Sequence, residues 1–451
     1  MKKVKFIVFA MLAQVIFGCS PKQPKNIIIM ISDGAGFNHI LATDYYQYGE
    51  TGKQIYQSFP VQQAMSTYSA DAEGYSPEKA WNDTLYIGSK WTDSAASATA
   101  LSTGSKTKNG YLGVDSGKKN LLHFSEFIKE QKKKIGTVTT VVACHGTPAG
   151  FTVQTPFRKD YPEIFRSMIL NTKLSVMMGA GLDEVDNLPE HKKYYYVGNK
   201  DFWQQLEAGN TAFDLDSDGL ADQEVTDVDG DNIPDAWTLI REEEEFKNIT
   251  KDNTPKRLLG IFQSRANAQY DRRGDKHLAP YEVALKPGIP SLTTMSKAAI
   301  NVLDNNNGFW LLIEGGAVDK ASHANWKGRM IEEQIDFNHA VEAVVEWIET
   351  NSSWDETLLI VTADHETGHI SGQVNMKKNV VAEVQNRGKG EMPEFYFLSS
   401  KHTNSLVPFY AKGLCSEKFT TKAVNNDPVY GKYMDSTDLA KTLFKLYNKA
   451  E

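Results

Sequence analysis

Four segments of the chain share one pattern, an uninterrupted apolar run that stops abruptly at polar, metal-binding side chains. Asn26-Ile27-Ile28-Ile29-Met30-Ile31-Ser32 leads into Asp33-Gly34-Ala35-Gly36, and Ile135 to Val142 leads into Cys144-His145-Gly146-Thr147-Pro148. Phe309-Trp310-Leu311-Leu312-Ile313 leads into Glu314-Gly315-Gly316, then Asp319, Lys320 and His323; Leu358-Leu359-Ile360-Val361-Thr362 leads into Asp364-His365-Glu366. Continuous rather than alternating hydrophobicity is what strands buried on both faces require. The runs therefore predict an α/β fold, a doubly wound, mostly parallel central sheet flanked by helices, with inserted loops and subdomains. Ligands of such sheets gather beyond the carboxyl ends of the strands, where these polar residues fall. Helical period is clearest from Gly328 to Thr350, with Ile331, Ile335, Val341, Val344, Val345 and Ile348 on the inward face and His339 an ordinary helix residue.

Spacing adds chemistry to this pattern. Asp319 and His323 are four apart, so on a helical turn both point the same way and can hold one ion. Asp364 and His365 are adjacent where a strand ends and the chain turns. Carboxylates mixed with imidazoles suit Zn²⁺, and carboxylate with hydroxyl suits Mg²⁺. Trp91-Thr92-Asp93-Ser94-Ala95-Ala96-Ser97-Ala98-Thr99-Ala100 reads as the first turns of a tightly packed helix. Its unpaired N–H groups and dipole favour an anionic ligand and an ionised serine. A serine near its free pKa is a weak nucleophile, and a neighbouring cation is one way to activate it.

These residues resemble the alkaline phosphatase family, from Asn26 to about Gly413. The motifs that carry the resemblance are Thr92 to Ala100 with Ser102-Thr103-Gly104, Glu314-Gly315 with Asp319-Lys320-x-x-His323, and Thr362-Ala363-Asp364-His365. The resemblance implies that Ser94 takes the phosphoryl group of varied phosphomonoesters and is later freed by water, releasing inorganic phosphate. It implies one Zn²⁺ on Asp319, His323 and His402, a second on Asp33, Asp364, His365 and the Ser94 oxygen, and Mg²⁺ on Asp33, Thr147 and Glu314. Arg158, in Thr155-Pro156-Phe157-Arg158-Lys159, matches the family's phosphate clamp, with Asp93 steering its guanidinium. Lys320 and His145 would reach substrate as well. His145 stands where the best-known bacterial members carry an aspartate supporting magnesium, so the third metal's identity is open. Three divalent ions bring six positive charges against the carboxylates of Asp33, Glu314, Asp319 and Asp364, a surplus that suits a phosphate dianion.

Other readings are weaker. Diesterases and nucleotide pyrophosphatases of the same superfamily usually lack counterparts of Glu314 and Arg158, and a sulfatase would need x-Pro-x-Arg after its nucleophile, where this chain has Ala95-Ala96-Ser97-Ala98. A dead scaffold that only binds phosphate or calcium would not keep every expected ligand.

The chain has 451 residues with a formal charge of −8, which argues against a nucleic-acid partner. Lys2, Lys3 and Lys5 precede a short apolar stretch that ends in Ile16-Phe17-Gly18-Cys19. Residues 1–18 are expected to be a lipoprotein signal peptide, cleaved before a lipidated Cys19, with 19–25 a tether. The product would be an exported lipoprotein, anchored in the outer membrane and facing the periplasm. Cys144 is read as a small buried thiol, and neither it nor Cys415 suggests a disulfide. Residues 26–451 form the catalytic domain, with insertions at 181–290 and, crown-like, at 370–398. Lys132-Lys133-Lys134 and Glu242 to Glu245 are read as solvated faces. Whether two chains pair as a homodimer is left open.

Within the larger insertion, Asp214-x-Asp216-x-Asp218-Gly219-x-x-Asp222 recurs as Asp227-x-Asp229-Gly230-Asp231-x-x-x-Asp235. Alternating aspartates around a glycine are what a loop needs to wrap oxygens around Ca²⁺. The pattern resembles thrombospondin type-3 calcium repeats, and calcium is expected to order the segment without joining catalysis.

Overall fold

The computed structural model describes residues 23–182, 188–373 and 382–447. The signal peptide and Cys19 lie outside the described residues, as do short stretches of both expected insertions. An eleven-stranded sheet forms the core. Its strands in chain order are β1 (Asn26–Ser32), β2 (Val61–Ser66), β3 (Lys134–Val142), β4 (Val176–Ala180), β5 (Thr238–Ile240), β6 (Leu258–Phe262), β7 (Phe309–Gly315), β8 (Thr357–Thr362), β9 (Val407–Gly413), β10 (Asn425–Asp427) and β11 (Gly431–Asp435). They lie side by side as β10-β11-β2-β9-β8-β1-β7-β3-β4-β6-β5.

The four apolar runs occupy the middle of this order. β8, β1, β7 and β3 are neighbours and all parallel, with Ile29 opposite Ile360 on one side and Leu312 on the other. β1, β7 and β8 are buried along their whole length, which explains their unbroken hydrophobicity. Antiparallel pairing begins at β8–β9 and continues at β9–β2. The central order puts the carboxyl ends of β1, β3, β7 and β8 together on one edge.

Helices cover both faces. Those that matter below are α1 (Phe37–Tyr48), α2 (Ser94–Thr103), α3 (Gly146–Gly150), α4 (Tyr161–Leu170), α5 (Leu292–Leu303), α6 (Ala317–His323), α7 (Lys327–Asn351) and α8 (Thr437–Tyr447). On α7 all six expected inward residues are buried, and His339 is exposed. The small residues of α2 serve a close approach. A Cβ added at Gly150 of α3 would lie 2.6 Å from the Ala98 Cβ, so neither helix tolerates a larger residue at that crossing.

Two expectations change. The span 181–290, read as interrupting the sheet, supplies β5 and β6 at one edge, where buried Leu258–Phe262 pairs with β4 in parallel. The run is short and stands apart from any ligand motif, so it did not stand out as a strand. Lys133 is buried rather than solvated, because its Nζ donates to the carbonyls of Lys25 and Asn307 at 2.6 and 2.9 Å. Burial lowers its pKa to about 8. Cys144 is buried and unbridged as expected, and burial pushes its thiol well up. No helix among the described residues is long and apolar enough to cross a membrane.

Candidate active site and metal centre

Asp93 ends an extended segment and caps α2: its Oδ1 accepts from the Ala96 N–H at 2.9 Å. Ser94 is therefore the first residue of a helix whose free N–H groups open toward the strand ends. Its hydroxyl lies 3.3 Å from His365 Nε2. The other Asp93 oxygen accepts from Arg158 Nη1 at 2.8 Å and from the Gly110 N–H at 2.8 Å, which fixes the guanidinium beside the serine. Gly146 makes room for it, since a Cβ there would meet Arg158 Nη2 at 2.8 Å.

Three groups of donor atoms surround the serine. His323 Nε2 and His402 Nε2 lie 3.0 Å apart, and 3.2 and 3.3 Å from Asp319 Oδ1. Their Nδ1 atoms face the carbonyls of Ser400 and Thr92 at 2.7 and 2.9 Å. A carbonyl only accepts, so each Nδ1 carries the proton and both Nε2 lone pairs converge on one point. Asp33, Asp364 and His365 form a second group, with His365 Nε2 3.2 Å from Asp364 Oδ2 and 3.6 Å from Asp33 Oδ1. Asp33, His145 and Glu314 form a third.

The electrostatics of this cluster suit a cation. Asp33, Glu314, Asp319 and Asp364 are all essentially inaccessible to water. Both oxygens of Asp33, Asp364 Oδ2, Glu314 Oε1, Thr147 Oγ1 and His145 Nδ1 are buried without a hydrogen-bond partner. Burial and then the neighbouring carboxylates Asp364, Asp319 and Glu314 hold Asp33 well above the usual range; burial likewise raises Glu314, and raises Asp364 to about 7. Asp319 behaves oppositely. Burial works against its charge, but Lys320, 3.0 Å away, and His402 hold it well below the usual range. His145 and His365 are kept neutral, chiefly by burial, and so are free to act as ligands. Orphaned oxygens beside neutral imidazoles are what resident divalent ions would satisfy.

Ser94, Asp93, Arg158, Lys320, Asp33, Thr147, Glu314, Asp319, His323, Asp364, His365, His402 and His145 are thus brought to one edge of the sheet. Two points differ from the sequence reading. His145, expected on the substrate, offers a donor to the third group, because the turn after β3 points its ring at Asp33 and Glu314. Thr139 and Thr367 were missed: their hydroxyls donate to Glu314 Oε2 at 2.5 Å and to Asp319 Oδ1 at 2.6 Å, orienting each carboxylate. Threonines at strand ends carry no signal beyond β propensity.

The acidic repeats gather separately. Asp214, Asp216 and Asp218 bring carboxylates together, as do Asp227, Asp229 and Asp235. Asp222 instead accepts from the Leu215 N–H at 2.7 Å. In the second loop Lys256 Nζ sits 2.7, 3.1 and 2.6 Å from Asp229, Asp231 and Asp235, a cation supplied by the chain itself.

The alkaline phosphatase family profile matches residues 24–437. The chain is 28% identical over 389 residues to alkaline phosphatase 4 of Drosophila melanogaster, covering 76% of this chain but only 56% of that relative's length. It is 29% identical to the alkaline phosphatase of Escherichia coli over 377 residues, covering 77% and 71%. Among solved structures, the alkaline phosphatase of the Antarctic bacterium TAB5 superposes with a TM-score of 0.63 at 21% identity, over 96% of this chain and 100% of that one. A mutant of the TAB5 enzyme holds Mg in its M3 site. With a match that runs from before the first ligand to beyond the last, the chain belongs to the alkaline phosphatase family.

Proposed function

We propose that Ser94 is the nucleophile of this metal-dependent phosphate monoester hydrolase, working through a phosphoserine intermediate. The observation that carries the reading is the position of the Ser94 hydroxyl at a helix N-terminus, 3.3 Å from His365 and beside the Asp93-braced Arg158. Asp319, His323 and His402 would hold one Zn²⁺, and Asp33, Asp364 and His365 a second. Asp33, Glu314, Thr147 and His145 would hold a third ion, Mg²⁺ on its oxygen-rich donors. Bound there, the ions would supply Lewis acidity toward the serine and leaving-group oxygens. The chain supplies the rest. Arg158 grips two non-bridging oxygens with a planar fork that Asp93 keeps from rotating. Lys320, fixed on Asp319, adds a cation facing the substrate. The Ser94 oxygen takes the phosphoryl group as the alcohol departs, and water returns it as inorganic phosphate.

Acid quenching of the enzyme with radiolabelled monoester, followed by peptide mapping, tests this directly. Label on Ser94 supports the assignment, and label elsewhere sinks it.

Two further assignments belong to this reading. The Lys-rich start, short apolar stretch and Gly18-Cys19 support an exported lipoprotein anchored through Cys19. Cys19→Ala should release the protein from membranes, and unchanged membrane association would remove the anchor. The paired aspartate loops support structural Ca²⁺ in the segment 214–235.

A further inference from the structure

Three cations on the carboxyl edge of the sheet have unequal partners. Arg158 is paired with Asp93, and Lys320 with Asp319. Arg265 has no carboxylate partner among the described residues, and its Nε is buried without a hydrogen bond. It lies three residues past the end of β6, at the same carboxyl edge of the sheet as the ligands. Its loop is pinned to that edge: the Ala268 N–H donates to Thr140 at 2.9 Å, Asn267 bridges Val141, and the Gly181 N–H donates to Ser264 at 2.9 Å.

Three tyrosines pack beside the third group of donors, near the β3 end to which this loop is pinned. The Tyr161 ring lies nearly parallel to His145, centroids 6.5 Å apart, and packs edge-on against Tyr196 and Tyr195 at 5.0 and 5.8 Å. Cys144, adjacent to His145, reaches the Tyr196 carbonyl at 3.5 Å. The Tyr195 hydroxyl donates to the Lys159 carbonyl at 2.8 Å, next to Arg158. Burial raises the Tyr196 phenol, and Arg265 and Lys320 both act against that rise, so one ring feels the unpaired guanidinium and the catalytic-edge lysine together. The rings retain partial exposure, with Tyr195 at 37%.

Arg265 is half-buried, so its charge is open to an incoming anion, while its buried Nε stands without a partner that such an anion could supply. Flat aromatic walls beside it fit a ring by edge or face. We propose that Arg265 and the Tyr161–Tyr195–Tyr196 cluster form a leaving-group subsite selecting phosphomonoesters whose leaving group is a flat ring with its own anionic substituent. The inference rests on the phosphatase reading and deepens it by naming a substrate class. The phosphoryl group stays on Arg158 and Ser94, and the second anion meets Arg265.

The test compares kcat/KM of the metal-loaded, full-chain enzyme on three esters: 4-carboxyphenyl phosphate, its neutral match 4-carbamoylphenyl phosphate, and glycerol 2-phosphate. The wild-type enzyme should favour the carboxylate over the amide. Arg265→Ala should reduce that ratio by about tenfold, the scale of one charge-assisted hydrogen bond, with Arg265→Lys retaining part of it. Tyr196→Ala should instead narrow the preference for either aryl ester over glycerol 2-phosphate. Each readout is a ratio within one preparation, so partial misfolding cancels. Equal losses on both aryl esters in Arg265→Ala, or a wild-type ratio near one, would overturn the subsite while leaving the phosphatase intact. Failure of the wild-type enzyme on all three esters would instead bring down the phosphatase reading, and the subsite with it.

Discussion

Arg158 and Ser94 make separable contributions, and single substitutions distinguish them. Ser94→Ala removes the atom proposed to accept the phosphoryl group, so no labelled protein should survive acid quenching. Arg158→Ala leaves the nucleophile in place but removes a preorganised donor to developing charge, and should lower kcat/KM on monoesters roughly 10²–10³-fold. Diesters present one charged oxygen fewer and should lose much less; equal losses would refute the clamp. The buried carboxylates give a pH prediction with a definite sign. Asp33, Glu314 and Asp364 have folded pKa values raised above their ordinary ones, Asp364 to about 7. Without metal the folded state therefore holds more protons than the unfolded chain between the ordinary carboxylate range and neutrality, so its stability falls as pH rises through that window. Chelated protein should melt at lower temperature at pH 7.5 than at pH 5.5. A metal-loaded sample, whose site carboxylates are neutralised by cations, should show a shallower slope, the part left by the other buried acids Glu366 and Asp336, which burial raises to about 7 and about 6.

At the scale of elements, the crossing of α2 and α3 sets where Ser94 stands. Gly150→Ala places a methyl 2.6 Å from the Ala98 Cβ, so α2 must move or the protein must lose stability. Overpacking of this kind costs roughly 1–3 kcal/mol, and melting and kcat should fall together. A variant with unchanged melting and activity would show that the helices can part freely. The acidic loops allow a sharper prediction than the sequence did. Lys256 already serves the second loop, whereas Asp214, half-buried, and Asp216 and Asp218, exposed, carry no lysine or arginine ion pair among the described residues. Millimolar Ca²⁺ should protect residues near 214–222 from proteolysis first. Absence of protection and of any gain in melting temperature would leave a plain acidic loop.

These elements also show what was legible in advance. Strands buried on both faces advertise themselves by unbroken apolar runs, so β1, β3, β7 and β8 and their terminal ligands could be read directly. β9 could not, because Val407-Pro408-Phe409-Tyr410-Ala411-Lys412-Gly413 mixes polar and apolar positions and contains a proline. Nor could the role of His145 be decided, since one turn of backbone determines whether its ring meets substrate or the Asp33–Glu314 pair. The supporting hydroxyls of Thr139 and Thr367 are defined only by partners distant in sequence, on other strands and helices.

At the scale of the whole molecule, the proposed metal centre doubles as part of the core. Four buried carboxylates at the meeting point of β1, β7, β8 and α6 repel one another, and ions held there would bind the folded chain alone. Removal of metal should therefore lower stability as well as activity, by about 2.7 kcal/mol for each site previously held at a hundred times its Kd. Loss of activity on chelation with unchanged melting would show that the ions contribute nothing to the fold.

The opposite edge of the sheet has its own consequence. The chain enters β1 through residues pinned in place: the Lys25 N–H donates to Glu356, Lys133 donates to the Lys25 carbonyl, and the Tyr447 hydroxyl of α8 donates to Pro24. Gln23 is held as well, its side-chain amide donating to the Leu446 carbonyl at 3.1 Å; if Cys19 is the lipid anchor, the four Cα steps from it to Gln23 span at most about 14 Å. Strand β1 then runs a further ~23 Å before reaching Asp33. A short mooring fixed at the stern would hold the protein close to the lipid while its catalytic mouth pointed outward, toward whatever diffuses past.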